Sequence, residues 1–324
     1  MNVLVTGGAG FIGSHLAQRH LSRGDEVYII DNLSTGSLEN IESIRYDNKC
    51  HVVIDSVLNE GVMNELAGKC DVIYHMAAAV GVKLIMENPV ETIQTNVRGT
   101  EVVLKVANLF KRKTMIASTS EVYGKAMNIK EGEMILSEGD DFLLGPTSKR
   151  RWAYACSKAI DEFLSLAYYD EKGLPVSIVR LFNTVGPRQT GRYGMVIPTF
   201  VQNALLGKSL PVFGDGTQSR SFTHVNDVID ALITLMETDD ATGEVINVGS
   251  GEEITINELA KKIIAVTKSK SEIEYIPYDK VYGPGFEDMN RRCPDLEKVK
   301  RLIDYTPKNG IDDIIRDVIA YYGS

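Results

Sequence analysis

The sequence predicts an α/β chain: a doubly wound parallel sheet followed by a smaller C-terminal lobe. Three observations predict it. Short Val/Ile-rich runs alternate with longer segments of helical spacing. The runs are continuous and lack polar alternation, as strands buried on both faces do. The first run passes into a glycine-rich turn that opens a helix, the arrangement of a dinucleotide-binding crossover.

The runs lie at 2–6, 26–30, 51–54, 72–74, 114–117, 176–181 and 245–248, with helical spacing at 13–22, 89–110 and 155–170. Strand and helix in alternation argue for parallel strands joined by crossover helices. After about residue 186 the pattern changes, and Pro and Gly rise in stretches such as "GPRQTGRYGMVIP" and "YGPGFEDMNRRCP". The expected division is a first domain of 1–186 with about 216–250, and a second lobe of 187–215 and 251–324.

Composition narrows the function classes. Apolar residues make up 44% and charged residues 24% of 324, which excludes a disordered, collagen-like or coiled-coil chain. The net charge of −9 disfavours nucleic acid and anionic membrane surfaces as partners. A local basic pocket can still take an anionic small molecule. No apolar run reaches 18 residues, and no basic segment precedes the first strand, so neither a membrane span nor a signal peptide is expected. Cys50, Cys70, Cys156 and Cys293 form no CxxC or zinc spacing and read as reduced thiols of a cytoplasmic protein. The five histidines are scattered without ligand spacing, and no metal is expected.

The first run leads into Thr6-Gly7-Gly8-Ala9-Gly10-Phe11-Ile12-Gly13. Gly7 permits the turn, Gly10 lets the backbone approach a pyrophosphate, and Gly13 lets the helix pack close to the strand. The helix N-terminus then offers free N–H groups to phosphate. The second strand ends at Asp31, whose carboxylate suits both hydroxyls of an adenosine ribose and repels a 2′-phosphate. NAD is therefore favoured over NADP, in a Rossmann-like fold. Asp55 lies under the adenine or caps a helix. Ala77, Ala78 and Ala79 leave room for a cofactor or make a plain turn.

Tyr154-x-x-x-Lys158 falls on one helix face, so phenol and ammonium can share a site. The ammonium favours the phenolate, and a phenol so tuned can take a proton from a sugar hydroxyl. Thr119 stands at the end of the fifth strand, where ligands meet a doubly wound sheet, and can hydrogen-bond the same hydroxyl. Glu121, two residues on, points the same way along an extended backbone, or is a solvated turn carboxylate. The charged stretch 125–151 is a solvated loop near the site mouth, or a lid over substrate.

These residues carry a resemblance. "TGGAGFIGSHL", "DNLSTG", "STSEVYG", "YACSK", "LFNTVGPR", "GDGTQSRSFTHVND" and "INVGSG" span nearly the whole chain in order. The chain resembles the extended short-chain dehydrogenase/reductases that act on nucleotide sugars. The resemblance implies NAD in the first domain, a nucleotide diphosphate sugar in the second, a homodimer, and Thr119, Tyr154 and Lys158 as the central triad. It further implies cofactor contacts from Asn32, Ser34, Thr35, Gly36, Ser56 and Asn96, and substrate contacts from Ser120 and Asn183. Val196, Pro211 and Phe213 would flank a uracil, Asp288 would meet the ribose, and Arg292 the diphosphate. The apolar stripes of 89–110 and 155–169 would form a dimeric bundle, or pack only on their own sheet.

Members of this group oxidise the sugar at carbon 4 and then diverge to 4-epimerase, 4,6-dehydratase or decarboxylase. Thr119-Ser120-Glu121 resembles the UDP-glucuronate decarboxylases, and also the GDP-mannose 4,6-dehydratases. "GPTSKRRWAYACSK" and "YGPGFEDMNRRCPD" resemble the decarboxylases too. Arg220 could hold a uronate carboxylate or the diphosphate by a bidentate contact, or protonate an enolate. The expected activity is UDP-glucuronate decarboxylase, with 4-epimerase and then 4,6-dehydratase as alternatives. A Rossmann-fold NAD sensor without catalysis is disfavoured, because Thr119, Tyr154 and Lys158 are all present.

Overall fold

The computed structural model describes residues 1–81, 85, 87–125, 135–191, 194–282 and 291–323. Asp288, expected at a ribose, lies outside them.

The strands in chain order are β1 Asn2–Thr6, β2 Glu26–Asp31, β3 Cys50–Ile54, β4 Val72–His75, β5 Lys113–Thr119, β6 Val176–Leu181, β7 Thr184–Val185, β8 Leu210–Phe213, β9 Ser219–Ser221, β10 Thr223–His224, β11 Val245–Val248, β12 Glu253–Thr255 and β13 Ile273–Ile276. The longer helices are α1 Phe11–Ser22, α2 Glu60–Lys69, α3 Pro89–Phe110, α4 Trp152–Lys172, α5 Val196–Leu205, α6 Val225–Glu237 and α7 Ile256–Thr267, with a terminal helix at Ile311–Tyr322.

Seven strands form one parallel sheet in the order β3-β2-β1-β4-β5-β6-β11. The order reverses between β1 and β4, which opens a crevice at the C-terminal ends of the strands. Successive side chains face opposite layers. Val3, Val5, Val27 and Ile29 meet α1 and α6 residues such as Leu16 and Val228. Leu4, Ile30, Ile73 and Ile116 meet Met63 of α2 and Val103 and Leu104 of α3. With helices on both faces no position needs to be polar, so the runs in the sequence are continuous.

A further core gathers Ile197 and Phe200 of α5, Leu210 and Val212 of β8, Leu259 and Ile263 of α7, and Ile314 and Val318 of the terminal helix. Its β8 pairs with β13, and β9 with β12, in two-stranded ribbons outside the main sheet.

One buried network sets the pose of α4. Glu162 accepts both Nε (3.0 Å) and Nη2 (2.7 Å) of Arg180 on β6. The same carboxylate accepts the Ser118 hydroxyl of β5. This bidentate pair fixes the helix across two strands. It holds the start of α4 over the end of β5.

The described part of the stretch 125–151 is solvated along most of its length but not at every residue. Within its described part, Leu136 is fully buried, and its N–H donates to the Cys293 carbonyl (2.8 Å). Glu138 accepts the Asn247 N–H (2.8 Å). Backbone pairing to a neighbouring segment anchors residues that composition alone marked as solvated.

On α3 and α4, Val90 (67% exposed), Leu109 (67%) and Phe163 (69%) face away from the sheet. Among the described residues no helix is long and apolar enough to cross a membrane.

Candidate active site

A cavity of about 1520 Å³ lies over the crevice. Its floor is the turn between β1 and α1. Gly7 has φ +67, and its N–H donates to the Ile30 carbonyl (2.8 Å). A Cβ on Gly13 would stand 2.2 Å from the Gly7 carbonyl oxygen, so only glycine lets the helix sit this close. Helix α1 begins at Gly10 with no side-chain cap and no acid in its first turn. Gly10, Phe11, Ile12 and Gly13 line the cavity, so the uncapped N–H end opens onto it.

Asp31 closes the next wall. Its Oδ2 accepts the Ala9 N–H (2.9 Å) and its Oδ1 the Leu33 N–H (2.8 Å). Burial pushes its carboxyl above the usual range, opposed by these donors. The Gly10 N–H also bears on this carboxylate, and with about four acceptor positions it keeps capacity for a ligand hydroxyl. Asn32, Ser34, Thr35 and Gly36 continue this rim, with Ser34 N–H on Asn32 Oδ1 (3.1 Å).

Asp55 and Ser56 also line the cavity. The alternative of Asp55 as a helix cap does not hold: Asn59 caps α2, and Asp55 orients it through Oδ2 (2.8 Å). Ala77, Ala78 and Ala79 form the opposite wall. Asn96 lies behind that wall, 1% exposed, where Oδ1 accepts the Ala79 N–H (2.8 Å) and Nδ2 reaches Ser157 (3.2 Å). Its amide shapes the wall, and Asn96 is not among the residues that line the cavity.

Tyr154 sits one turn into α4 and lines the cavity. Its phenol hydrogen-bonds Thr119 at the end of β5. Burial, then the charge of Glu121, pushes the phenol above its ordinary range, and the Thr119 bond partly opposes this. Tyr154 and Lys158 share one helix, and the structure gives Lys158 a further partner. Lys158 is 2% exposed, and its Nζ lies 2.6 Å from Asp161 Oδ2 one turn further along. A fully buried carboxylate within reach of the lysine draws the ammonium to itself in the low-dielectric interior.

Beyond Thr119 the backbone is not extended. Thr119 Oγ1 accepts the Glu121 N–H (3.2 Å), and Ser120–Tyr123 form a short 3₁₀ turn. Glu121 is no solvated carboxylate either. Its side chain is 15% exposed, with Arg292 Nη1 at 2.7 Å and Arg151 Nη2 at 3.2 Å. Ser120, 1% exposed, lines the same end.

Arg220 of β9 lines the cavity at 9% exposure, with Nη1 on the Ser219 carbonyl (2.8 Å). The neighbouring Ser221 N–H donates to the Arg292 carbonyl (3.4 Å), which ties this strand to the Glu121 cluster. Asn183 holds the same strand through the Ser221 carbonyl (2.9 Å). Val196, Pro211 and Phe213 give the far wall an apolar face.

Arg151 and Arg188 are among the cavity residues that the sequence reading did not single out. Arg151 ended a stretch read as solvated, yet it is 7% exposed, with its guanidinium 5.3 Å from the Trp152 ring centroid. Lys125 approaches that ring from 5.7 Å. Arg188, at φ +68, reaches the Ser14 hydroxyl of α1 (3.2 Å). A signal existed for Arg151: a cation immediately before the helix that carries the tyrosine enters the site with that helix.

The histidines serve the frame. His15 contacts the Pro187 carbonyl (3.0 Å), and His75 lies between Thr6 (2.8 Å) and Thr100 (3.2 Å).

Comparison with known proteins accords with this geometry. The profile described as GDP-mannose 4,6 dehydratase matches residues 4–318. The UDP-N-acetyl-alpha-D-glucosaminuronate decarboxylase of Bacillus cytotoxicus is 43% identical over 98% of this chain and 97% of its own length. UDP-glucuronic acid decarboxylase 1 of Danio rerio is 33% identical over 99% of this chain and 72% of its own. The UDP-glucuronic acid 4-epimerase of Bacillus cereus, solved with UDP-glucuronic acid and NAD, superposes with a TM-score of 0.87 at 30% identity, covering 100% of this chain and 99% of that one.

Proposed function

Since the chain belongs to the GDP-mannose 4,6-dehydratase family of nucleotide-sugar enzymes, we propose that it is an NAD-dependent decarboxylase of a UDP-linked uronic acid, with UDP-glucuronate the first substrate to test. The observation that carries this reading is the cluster around Glu121. One carboxylate stands between Arg151 and Arg292, with Arg220 on the adjoining strand. A neutral hexose needs no such excess of cation beside the tyrosine. A diphosphate together with a sugar carboxylate does.

The residues present fit NAD. The uncapped end of α1 faces the pyrophosphate, Gly13 leaves the space, and Asp31 keeps acceptor capacity for a ribose hydroxyl while repelling a 2′-phosphate. When bound, NAD supplies the acceptor for hydride from carbon 4 of the sugar. Burial raises the Tyr154 phenol, so it would act as base only with a positive ring beside it; Tyr154 then takes the proton of the 4-hydroxyl, with Thr119 bonded to the phenol. The resulting 4-ketone lies β to the carboxylate on carbon 6. The bond between carbons 5 and 6 then breaks, its electron pair forms the enolate on the carbon-4 oxygen, and carbon dioxide leaves. A proton delivered to carbon 5 restores the ketone. Arg151, Arg220 and Arg292 hold the carboxylate and diphosphate, and Glu121 keeps two of these guanidiniums in place. Val196, Pro211 and Phe213 receive the uracil. The core around α5 and α7 serves as the nucleotide-sugar lobe, and the exposed faces of α3 and α4 pair two copies into a homodimer.

A 4-epimerase acting on the same uronate is the second reading, because the Bacillus cereus neighbour with UDP-glucuronic acid is one. Mass spectrometry of the purified protein with UDP-glucuronate, and with its 2-acetamido analogue, separates the two. Loss of the mass of carbon dioxide, alone or together with the two hydrogens removed at carbon 4, supports the decarboxylase. An unchanged mass with a new retention time replaces it by the epimerase. Loss of water from a neutral hexose nucleotide, with both uronates inert, overturns both.

A further inference from the structure

A line of hydrogen bonds runs through the interior from the cofactor wall to the lysine. The Ala77 N–H donates to Thr6 Oγ1 (3.2 Å). Thr6 Oγ1 lies 2.8 Å from His75 Nδ1, and His75 Nε2 lies 3.2 Å from Thr100 Oγ1. Thr100 hydrogen-bonds the Asp161 carboxylate, which also takes the Lys158 ammonium at 2.6 Å. Thr6, Thr100 and Asp161 are fully buried, and His75 and Lys158 are each 2% exposed.

The carboxylate end fixes a direction: Asp161 only accepts, so Thr100 spends its proton there and takes one from His75 Nε2, which leaves Nδ1 to accept from the Thr6 hydroxyl. A neutral imidazole then carries its proton on Nε2 and donates to Thr100, whose hydroxyl donates to Asp161. Burial and the charge of Lys158 keep His75 neutral, holding it down to about 3. The line therefore ends on a carboxylate with only accepting to do.

We propose that Asp161 is a positioning residue that anchors the Lys158 ammonium, and that its carboxylate sets the pH at which Tyr154 begins to accept a proton. This rests on Tyr154 serving as the base, as proposed above. Asp161 acts on the phenol by its own negative charge, and by countering the positive charge of Lys158. The other charged groups facing these residues are Glu121, which bears on Tyr154 from the turn after β5, and Glu162, which is turned to Arg180 and Ser118. From β4, His75 faces Lys158 as a neutral ring.

The test replaces Asp161 by Asn, which keeps the shape and removes the charge, with Asp161→Ser as a second neutral variant should the first not fold. Seven helical residues separate Asp161 from Tyr154, about 10 Å, and one charge at that range moves a titration by about one pH unit. In nucleotide-sugar-dependent reduction of nicotinamide, the acid limb of the pH–rate profile should move down by about one unit. A second readout needs neither cofactor nor substrate: the slowly exchanging Nζ–H resonance of the buried ammonium, assigned by its loss in Lys158→Met. It should shift or broaden away in Asp161→Asn. A profile that coincides with the unsubstituted protein, an equal loss of rate at every pH, or an unmoved Nζ resonance would each overturn the proposal. Absence of both a decarboxylated product and any transient nicotinamide reduction in the unsubstituted protein overturns the functional reading instead, and leaves the ion pair to be judged by its resonance.

Discussion

Replacing Arg151 by Met tests whether the arginine cluster recognises a sugar carboxylate. Methionine keeps much of the packing against Trp152 and removes the guanidinium. In the native site Glu121 has two cations, at 2.7 and 3.2 Å, and is largely shielded from water at 15% exposure. The substitution takes the Arg151 cation away from it, so an incoming carboxylate loses one partner and meets a less neutralised Glu121. A charge-assisted hydrogen bond contributes about 1.5–3 kcal/mol, which is about 10- to 150-fold in kcat/KM. The loss should fall mainly on KM, because the uronate carboxylate is present in both ground and transition states up to carbon–carbon cleavage. The assay is initial rate by product mass, with UDP-glucuronate and with UDP-glucose followed only to nicotinamide reduction. The neutral sugar should change by less than about threefold, the size of a lost surface contact. Equal losses on both sugars would refute the assignment and make Arg151 a partner of the diphosphate or of the fold.

Tyr154→Phe should lower hydride transfer by at least about 10²-fold while NAD binding, read by calorimetry, stays unchanged. Gly13→Ala forces a Cβ to 2.2 Å from the Gly7 carbonyl; it should cost at least about 1–3 kcal/mol, lower the melting temperature, and abolish NAD binding at concentrations that saturate the unsubstituted chain. Burial holds His15 down to about 4, against 6.5 in an open chain. Between those values the unfolded chain binds the extra proton, so stability should fall as pH drops from about 6.5 towards 4. His15→Gln should flatten that part of a melting-temperature profile, and an unchanged slope would remove His15 as its source.

The sheet was legible because its physics is simple. A strand covered on both faces has no polar position, so runs such as Val3-Leu4-Val5 stand out. The glycine turn was legible because steric need leaves no substitute at Gly13. Tyr154 and Thr119 followed from their place at strand and helix ends. What escaped depended on contacts distant in sequence. Nothing near Arg151 announces Glu121, thirty residues earlier, as its partner. Leu136 reads as loop until Cys293, far along the chain, accepts its N–H. The pairing of Lys158 was local and could have been read: a carboxylate three residues on shares its helix face. It was overlooked because the tyrosine, at the opposite interval, offered a more familiar partner. Asn96 was placed at the cofactor, though a buried amide on a helix that backs a loop serves equally to brace that loop.

The chain contains a single tryptophan, and its ring lies between the Arg151 and Lys125 cations at the cavity margin. Indole emission responds to the field of nearby charges, so with excitation beyond the tyrosine band the emission of the whole protein originates at this one residue. An anion seated on Arg151 alters that field directly. The protein thus carries its own optical probe of occupancy, free of background from other indoles, with which binding could be timed in a stopped-flow experiment without attaching any dye.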